Sequence, residues 1–440
     1  MNHLLSRRHF LQTTALATAA STFPLTAKSA SANGKLRTAH IGVGGMGMSD
    51  LRSIMSHPMV EVSALCDVDS KFLETAAALH PQAKMYRDFR EMFSEFGDKI
   101  DAVVVSTPDH THAPAAMSAL NLMKPVYCQK PLTHDIFEAR QLRSTAEAKG
   151  LVTQMGIQIH SHQEYRRAKA MIQAGAIGKV KQIYAWCSKS WGYNGGPFEK
   201  FQAPPETLEW NLWTGTAAER PYVPGVYHPA QWRRLIDFGT GTLGDMGVHI
   251  FDTPYGALGL TAPTWVKVEC RAPTGIGHPT QMVVHYEFPG TKYTTENVKW
   301  TWMDGNAAPP KSEAVGLPAG VKLPGSASLF VGEEGFLLLP HIAAAQLFPE
   351  EKFKDYQKPE ISGGSHYHEW VDACLGKTET GAPFSYGGPL TEALLLGIIG
   401  SRYPEKTLEW DAKKLAITNH SEADEFLKRK YRTGFEVAGL

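Results

Sequence analysis

The sequence has no net charge to offer a polyanion: 44 Lys and Arg are balanced by 44 Asp and Glu among 440 residues. No basic run or face stands out, so the electrostatic footprint of a nucleic-acid partner is missing. Cysteine is scarce and odd in number. Cys66, Cys128, Cys187, Cys270 and Cys374 are scattered through mostly apolar text, which reads as free buried thiols rather than a disulfide framework. Neither Cys-x-x-Cys nor His-Glu-x-x-His spacing occurs, so no metal site is expected. Long apolar runs are also lacking: the stretch Thr13 to Ala20 is too short and too weakly hydrophobic to span a bilayer. No internal repeat is visible.

What is present begins with Ser6-Arg7-Arg8-His9-Phe10-Leu11, followed by that small-residue stretch and by Ala30-Ser31-Ala32. This is the pattern of a twin-arginine export signal with its cleavage site, so residues 1–32 are set apart from the fold and the mature chain is expected in the periplasm with no membrane anchor. That route carries folded proteins. A nucleotide cofactor loaded in the cytoplasm would have to stay bound.

The mature chain is long enough for two domains. Ile41-Gly42-Val43-Gly44-Gly45-Met46-Gly47 reads as a strand, Leu36 to Ile41, ending in a glycine loop that enters a helix. Such a loop turns tightly, lets a pyrophosphate approach bare backbone and aims helix N-H groups at the phosphates. A second strand, Val60 to Cys66, ends at Asp67. A carboxylate there accepts ribose hydroxyls and repels a 2'-phosphate, favouring NAD over NADP. Further strands at 102–106, 125–128 and 152–156 alternate with helical text, which gives an α/β doubly wound parallel sheet over residues 33–158. Ligands in such sheets gather beyond the carboxyl ends of the strands, where Thr107, Pro108, His112, Gln129, Lys130 and Gln158 lie.

From residue 159 to 440 the text changes to a helix near 164–174, then strands at 180–186, 265–270, 281–288, 292–298, 328–331 and 335–339. Helices are expected at 366–375 and 391–400, and a surface loop at 306–324. This is an α+β domain with a large, mostly antiparallel open sheet. Its aromatic strands suggest a homo-oligomer formed through that sheet. Asp245 and His249 stand four apart, so on a helix they share a face and can hydrogen-bond. A carboxylate on an imidazole fixes its tautomer and raises its basicity, as a base that takes a hydroxyl proton during hydride transfer requires. An ammonium at the Lys130 strand end can relay a proton or polarise a carbonyl.

The motifs Gly42 to Gly47, Ala64 to Asp67, Asp101 to His112, Gln129-Lys130-Pro131 and Asp245 to His249 occur in this order. With them the chain resembles the glucose-fructose oxidoreductase, inositol dehydrogenase and MocA family over essentially its whole mature length. The resemblance implies that Lys130 binds the reacting hydroxyl, that His249 is the acid/base and that Asp245 is its partner. It also implies a glutamate before the lysine, where this chain has Gln129 and so loses a negative charge.

Substrate-facing candidates in the second domain are His160, Trp191, His228 and Arg233, beside Lys130, Asp245 and His249. Flat aromatic faces mixed with polar groups suit a carbohydrate. Three readings follow: a periplasmic NAD-dependent oxidoreductase acting on a sugar, glycoside or polyol with recycled cofactor; an NAD-dependent glycosidase working by transient oxidation and elimination; and a non-catalytic sugar-binding protein that keeps the fold.

Overall fold

The computed structural model describes residues 34–440; the expected export signal, residues 1–32, lies outside the described residues. The first domain is built as β1 (Leu36–Ile41), α1 (Met46–Met55), β2 (Val60–Cys66), α2 (Ser70–Ala77), β3 (Lys84–Tyr86), α3 (Phe89–Phe96), β4 (Ala102–Val105), α4 (Asp109–Asn121), β5 (Val126–Gln129), α5 (Ile136–Lys149) and β6 (Thr153–Gly156). Its six strands are all parallel, in the order β3-β2-β1-β4-β5-β6. The chain order reverses between β1 and β4, and that switch opens the crevice in which nucleotides bind. Val103, Val104 and Val105 of β4 are buried on both faces, which accounts for an apolar run without alternation. Helix α5 starts at a full capping box between Asp135 and Glu138.

The second domain adds α6 (Gln163–Gln173), β7 (Val180–Cys187), α7 (Trp210–Thr214), α8 (Val248–Leu258), β8 (Trp265–Cys270), β9 (Met282–Pro289), β10 (Thr294–Asp304), β11 (Ser326–Gly332), β12 (Phe336–Pro340), β13 (Gln346–Phe348), α9 (Glu350–Phe353), α10 (His366–Cys374), α11 (Phe384–Gly400), β14 (Thr407–Asp411) and β15 (Ala416–Ile417). Nine strands lie in the order β13-β12-β11-β7-β10-β9-β8-β14-β15. Only β7 and β10 pair parallel; the others run antiparallel.

Helix α11 begins seven residues before its expected start at 391, and β10 runs on past 298 to Asp304. Both extensions are dictated by burial: α11 is apolar nearly all round and lies inside the core, joined to α5 by the Arg140–Glu392 ion pair at 2.6 Å. The expected loop 306–324 is a loop with two short 3-10 turns.

The large aromatic side chains of these strands are buried within the chain itself. Tyr286, Phe288, Trp300 and Trp302 are fully buried in the core, and Trp186 is covered by the 306–324 loop through a bond from its Nε1 to the Pro324 carbonyl at 2.8 Å. Alternation places their polar neighbours Lys267, Glu269, His285 and Glu287 on the opposite side. The segment after β7 forms its own small core, in which Trp213, Tyr227, Trp232 and Phe238 pack together. It is pinned to the first domain by the Asp69–Leu208 bridge and by Arg87 donating to the Thr207 carbonyl at 2.7 Å. All five cysteines are free.

Candidate active site

One cavity of about 670 Å³ runs from the glycine loop to the second-domain residues Arg233, Asp245 and His249. Its cofactor end is built by close backbone approach. Gly42 has φ of 81°, and a Cβ there would sit 2.6 Å from the Ser106 carbonyl oxygen; a Cβ on Gly47 would lie 2.0 Å from the Gly42 carbonyl oxygen. At Gly44 a Cβ would strike the Phe72 ring at 2.4 Å. Gly45 faces open space and caps α1 with no side-chain bond and no acid in the first turn; the Gly47 N-H turns back to the Gly44 carbonyl at 2.9 Å, which leaves the N-H groups of Gly45 and Met46 for an anion.

Asp67 accepts from the Val43 N-H at 2.8 Å and from the Asp69 N-H at 2.9 Å, which fixes its carboxylate beside the loop. Burial raises its pKa, opposed by those two backbone bonds. Thr107 and Pro108 lie across the crevice. His112 reaches both the Pro131 carbonyl, Nδ1 at 2.9 Å, and the Thr107 carbonyl, Nε2 at 2.8 Å. Burial lowers its pKa to about 4, so the neutral ring donates to one carbonyl at a time while tying together the loops after β4 and β5. Gln158 lines the cavity with a buried, unpartnered Nε2. A bare cradle, a free helix N-terminus and an orphaned amide are what a dinucleotide requires, so the residues present fit the cofactor.

At the other end, the Lys130 ammonium donates to Asp245 Oδ1 at 2.8 Å and to the Asp245 carbonyl at 3.0 Å. Arg233 Nε meets the same Oδ1 at 3.3 Å, and Trp191 Nε1 donates to Oδ2 at 2.8 Å. Burial would raise the Asp245 carboxyl, but Lys130 and Arg233 outweigh it and hold the group well below the usual carboxylate range.

The expected Asp245–His249 hydrogen bond is not made. Leu243–Gly247 form a π-helical turn ahead of α8, which changes the angle between positions four apart, and both Asp245 oxygens are already engaged. His249 instead lines the cavity with a buried, unpartnered Nδ1, its ring 5.7 Å from that of His341. Burial, then the charge of Lys130, hold its pKa well below the ordinary value, so the imidazole is neutral.

Three further expectations are corrected. His160 is not on the cavity wall: its Nδ1 pairs with Asp252 at 2.9 Å, and Tyr386 holds the same carboxylate at 2.8 Å. The 3-10 turn Gln158–Ser161 directs Gln158 to the cavity and His160 to the helix behind it. His228 does line the cavity, but at the cofactor end, with Nε2 3.0 Å from Asp69 and its ring against Phe72. Trp191 acts on Asp245 rather than on the cavity wall. Arg233 lines the cavity.

Sequence reasoning missed Asp109, Lys189, His341, Phe435 and Val437, all on the wall. Asp109 stood in a quoted motif; burial pushes its carboxyl up to about 7, against a bond from Thr240 at 2.7 Å. The others carry no local signal, because they reach the cavity from a strand end, a turn and the C-terminal tail.

Residues 36–157 match the model of an oxidoreductase family with an NAD-binding Rossmann fold, and residues 164–292 match that family's C-terminal alpha/beta domain. Together they span more than half of the chain, and its first domain is an NAD-binding Rossmann domain. Inositol 2-dehydrogenase 2 of Mycolicibacterium vanbaalenii is 31% identical over 147 residues, 33% of this chain and 42% of that protein. An inositol 2-dehydrogenase of Salmonella typhimurium is 24% identical over 177 residues, 40% of this chain and 51% of that protein. The chain thus matches about half or less of the length of these relatives. Among solved structures, an inositol dehydrogenase homolog from Azotobacter vinelandii, complexed with NADH and myo-inositol, superposes with a TM-score of 0.56 at 16% identity, covering 86% of this chain and 98% of that one. The WlbA dehydrogenase of Bordetella pertussis, in complex with NADH and UDP-GlcNAcA, gives 0.60 at 15%, covering 86% and 99%.

Proposed function

Since the chain belongs to the Gfo/Idh/MocA oxidoreductase family, we propose that it is an NAD(H)-dependent oxidoreductase acting on a ring or chain carbinol of a sugar, glycoside or related polyol. The observation that carries the reading is the Lys130–Asp245 pair beside a neutral His249, in the same cavity as the glycine loop. Inositol dehydrogenases among the relatives support a polyol-like substrate.

Lys130 has three N-H bonds. Two are spent on Asp245, which leaves the third to hold a substrate oxygen and to stabilise negative charge developing there. Asp245 is therefore a positioning residue for the lysine. His249, neutral and on the cavity wall, accepts the hydroxyl proton as the carbinol is oxidised, and its weak hold on that proton returns it readily in the reverse direction. NAD, when bound, supplies the hydride acceptor or donor. Trp191 and Arg233 keep Asp245 ionised and in place.

We further propose that the protein is exported folded, on the strength of Ser6-Arg7-Arg8-His9-Phe10-Leu11, and keeps its nucleotide, restoring it with a second carbonyl substrate. The test is to incubate purified protein with neutral and acidic sugars, polyols and glycosides, then read product masses and bound nucleotide. Loss of two hydrogens is expected. Release of free aglycone would favour cleavage by transient oxidation, and no change in any ligand or in the nucleotide would overturn the reading.

A further inference from the structure

Lys189, two residues beyond the end of β7, lines the substrate end of the cavity. Among the described residues its ammonium has one hydrogen-bonding partner, the thioether sulfur of Met246 at 3.6 Å, and no carboxylate. A thioether is a weak acceptor for a group that carries three strong donors, and Lys189 is exposed, so its other N-H bonds are open to solvent or to a ligand. Its neighbours are differently placed: Lys130 and Arg233 share the Asp245 carboxylate. Three cations thus face one firmly ionised carboxylate. Asp109 does not restore the balance, because burial keeps it partly protonated near neutral pH. His249 and His341 add no charge of their own, both held neutral by burial and both made still less basic by the charge of Lys189.

We propose that the substrate carries an anionic group, a carboxylate or a phosphate, on its sugar or polyol frame, and that Lys189 receives this group while Lys130 and His249 address the reacting hydroxyl. The inference rests on the oxidoreductase reading of the same site. An oxyanion gives the ammonium the charge-assisted acceptor that Met246 is not, and a cleft with surplus positive charge concentrates anions in a salt-dependent way.

The test uses the NAD-loaded protein with matched sets of ligands: D-glucose, D-glucuronate and D-glucose 6-phosphate, and the corresponding galactose set. Binding is measured by calorimetry and oxidation by product mass. At least one anionic ligand should bind about tenfold more tightly than its neutral parent, the scale of one charge-assisted hydrogen bond, and should lose that advantage at high salt. Lys189→Gln should abolish the advantage without changing nucleotide content, and Lys189→Arg should preserve most of it. Preference for the uronates assigns a carboxylate; preference for the hexose phosphates assigns a phosphate. Equal or tighter binding of the neutral sugars, or an anion preference indifferent to Lys189→Gln, overturns the proposal. Anion-selective binding without oxidation keeps it and overturns the oxidoreductase reading, while oxidation confined to neutral sugars does the reverse.

Discussion

Gln129 donates its side-chain amide to both carboxylate oxygens of Asp50, at 3.1 and 2.8 Å. Asp50 also accepts from Ser106 at 2.7 Å and Tyr367 at 3.1 Å, while Gln129 Oε1 accepts from the Lys130 N-H at 3.2 Å. The negative charge that family resemblance places at position 129 is therefore not lost. It sits one layer deeper, on α1, where burial pushes the Asp50 carboxyl up to about 6 against the hydrogen bonds that pull it down.

Gln129→Glu would set a second acid against Asp50, and the pair would have to share a proton. The variant should be less stable than wild type by about 1–3 kcal/mol at pH 8 and closer to it at pH 5. Asp50→Asn in the same chain should restore stability by exchanging donor and acceptor. Thermal melts at the two pH values decide it; a single variant indifferent to pH would refute the arrangement.

Gly42→Ala combines a strained φ of 81° with a Cβ 2.6 Å from the Ser106 carbonyl oxygen, so nucleotide should be lost. Gly45→Ala, also at positive φ but facing open space, should lose less. NAD released per chain on heating measures both. Asp67→Ala should weaken NAD more than NADP, as expected of a carboxylate that contacts ribose.

The C-terminal tail supplies Phe435 and Val437 to the cavity wall, with the Arg90 guanidinium 4.5 Å from the Phe435 ring centre and bonded to the Gly434 carbonyl at 2.7 Å. Phe435→Ala should speed nucleotide release about tenfold, a cost of about 1.4 kcal/mol in the bound state. Unchanged off-rates by stopped-flow fluorescence would remove the tail from this role.

His249→Ala should lower turnover by about a hundredfold or more, the usual scale for a positioned acid/base. Because Asp245 holds Lys130 rather than His249, Asp245→Asn should resemble Lys130→Ala, damaging both kcat and KM. Were Asp245→Asn to reproduce instead the pH profile of the His249 variant, the carboxylate would be acting through the imidazole after all.

Asp109 keeps its proton in the folded chain up to about pH 7 and releases it near its ordinary value when unfolded. Between those values the unfolded state binds fewer protons, so this group makes stability fall as pH rises from about 4 to about 7. Asp109→Asn retains an acceptor for Thr240 and removes the titration. It should be more stable relative to wild type at pH 8 than at pH 5, as melts at both pH values would show.

Much was legible in the sequence. The glycine loop, Asp67, the valine strand β4 and Lys130 at a strand end are local statements: each follows from backbone sterics or hydrophobic pattern within a few residues, and all four stand where expected. Which side chains meet across the cavity was decided only in three dimensions. The π-helical turn before α8 and the saturation of Asp245 by Lys130, Arg233 and Trp191 separated a pair whose spacing promised contact. Asp50 and Gln129, 79 positions apart, meet because the Asp50 carboxylate on the buried face of α1 reaches Ser106 just after β4 and Gln129 at the end of β5. Periodicity determines which face of an element is buried; the partners on that face, and so the charge and protonation of the site, depend on how distant elements pack.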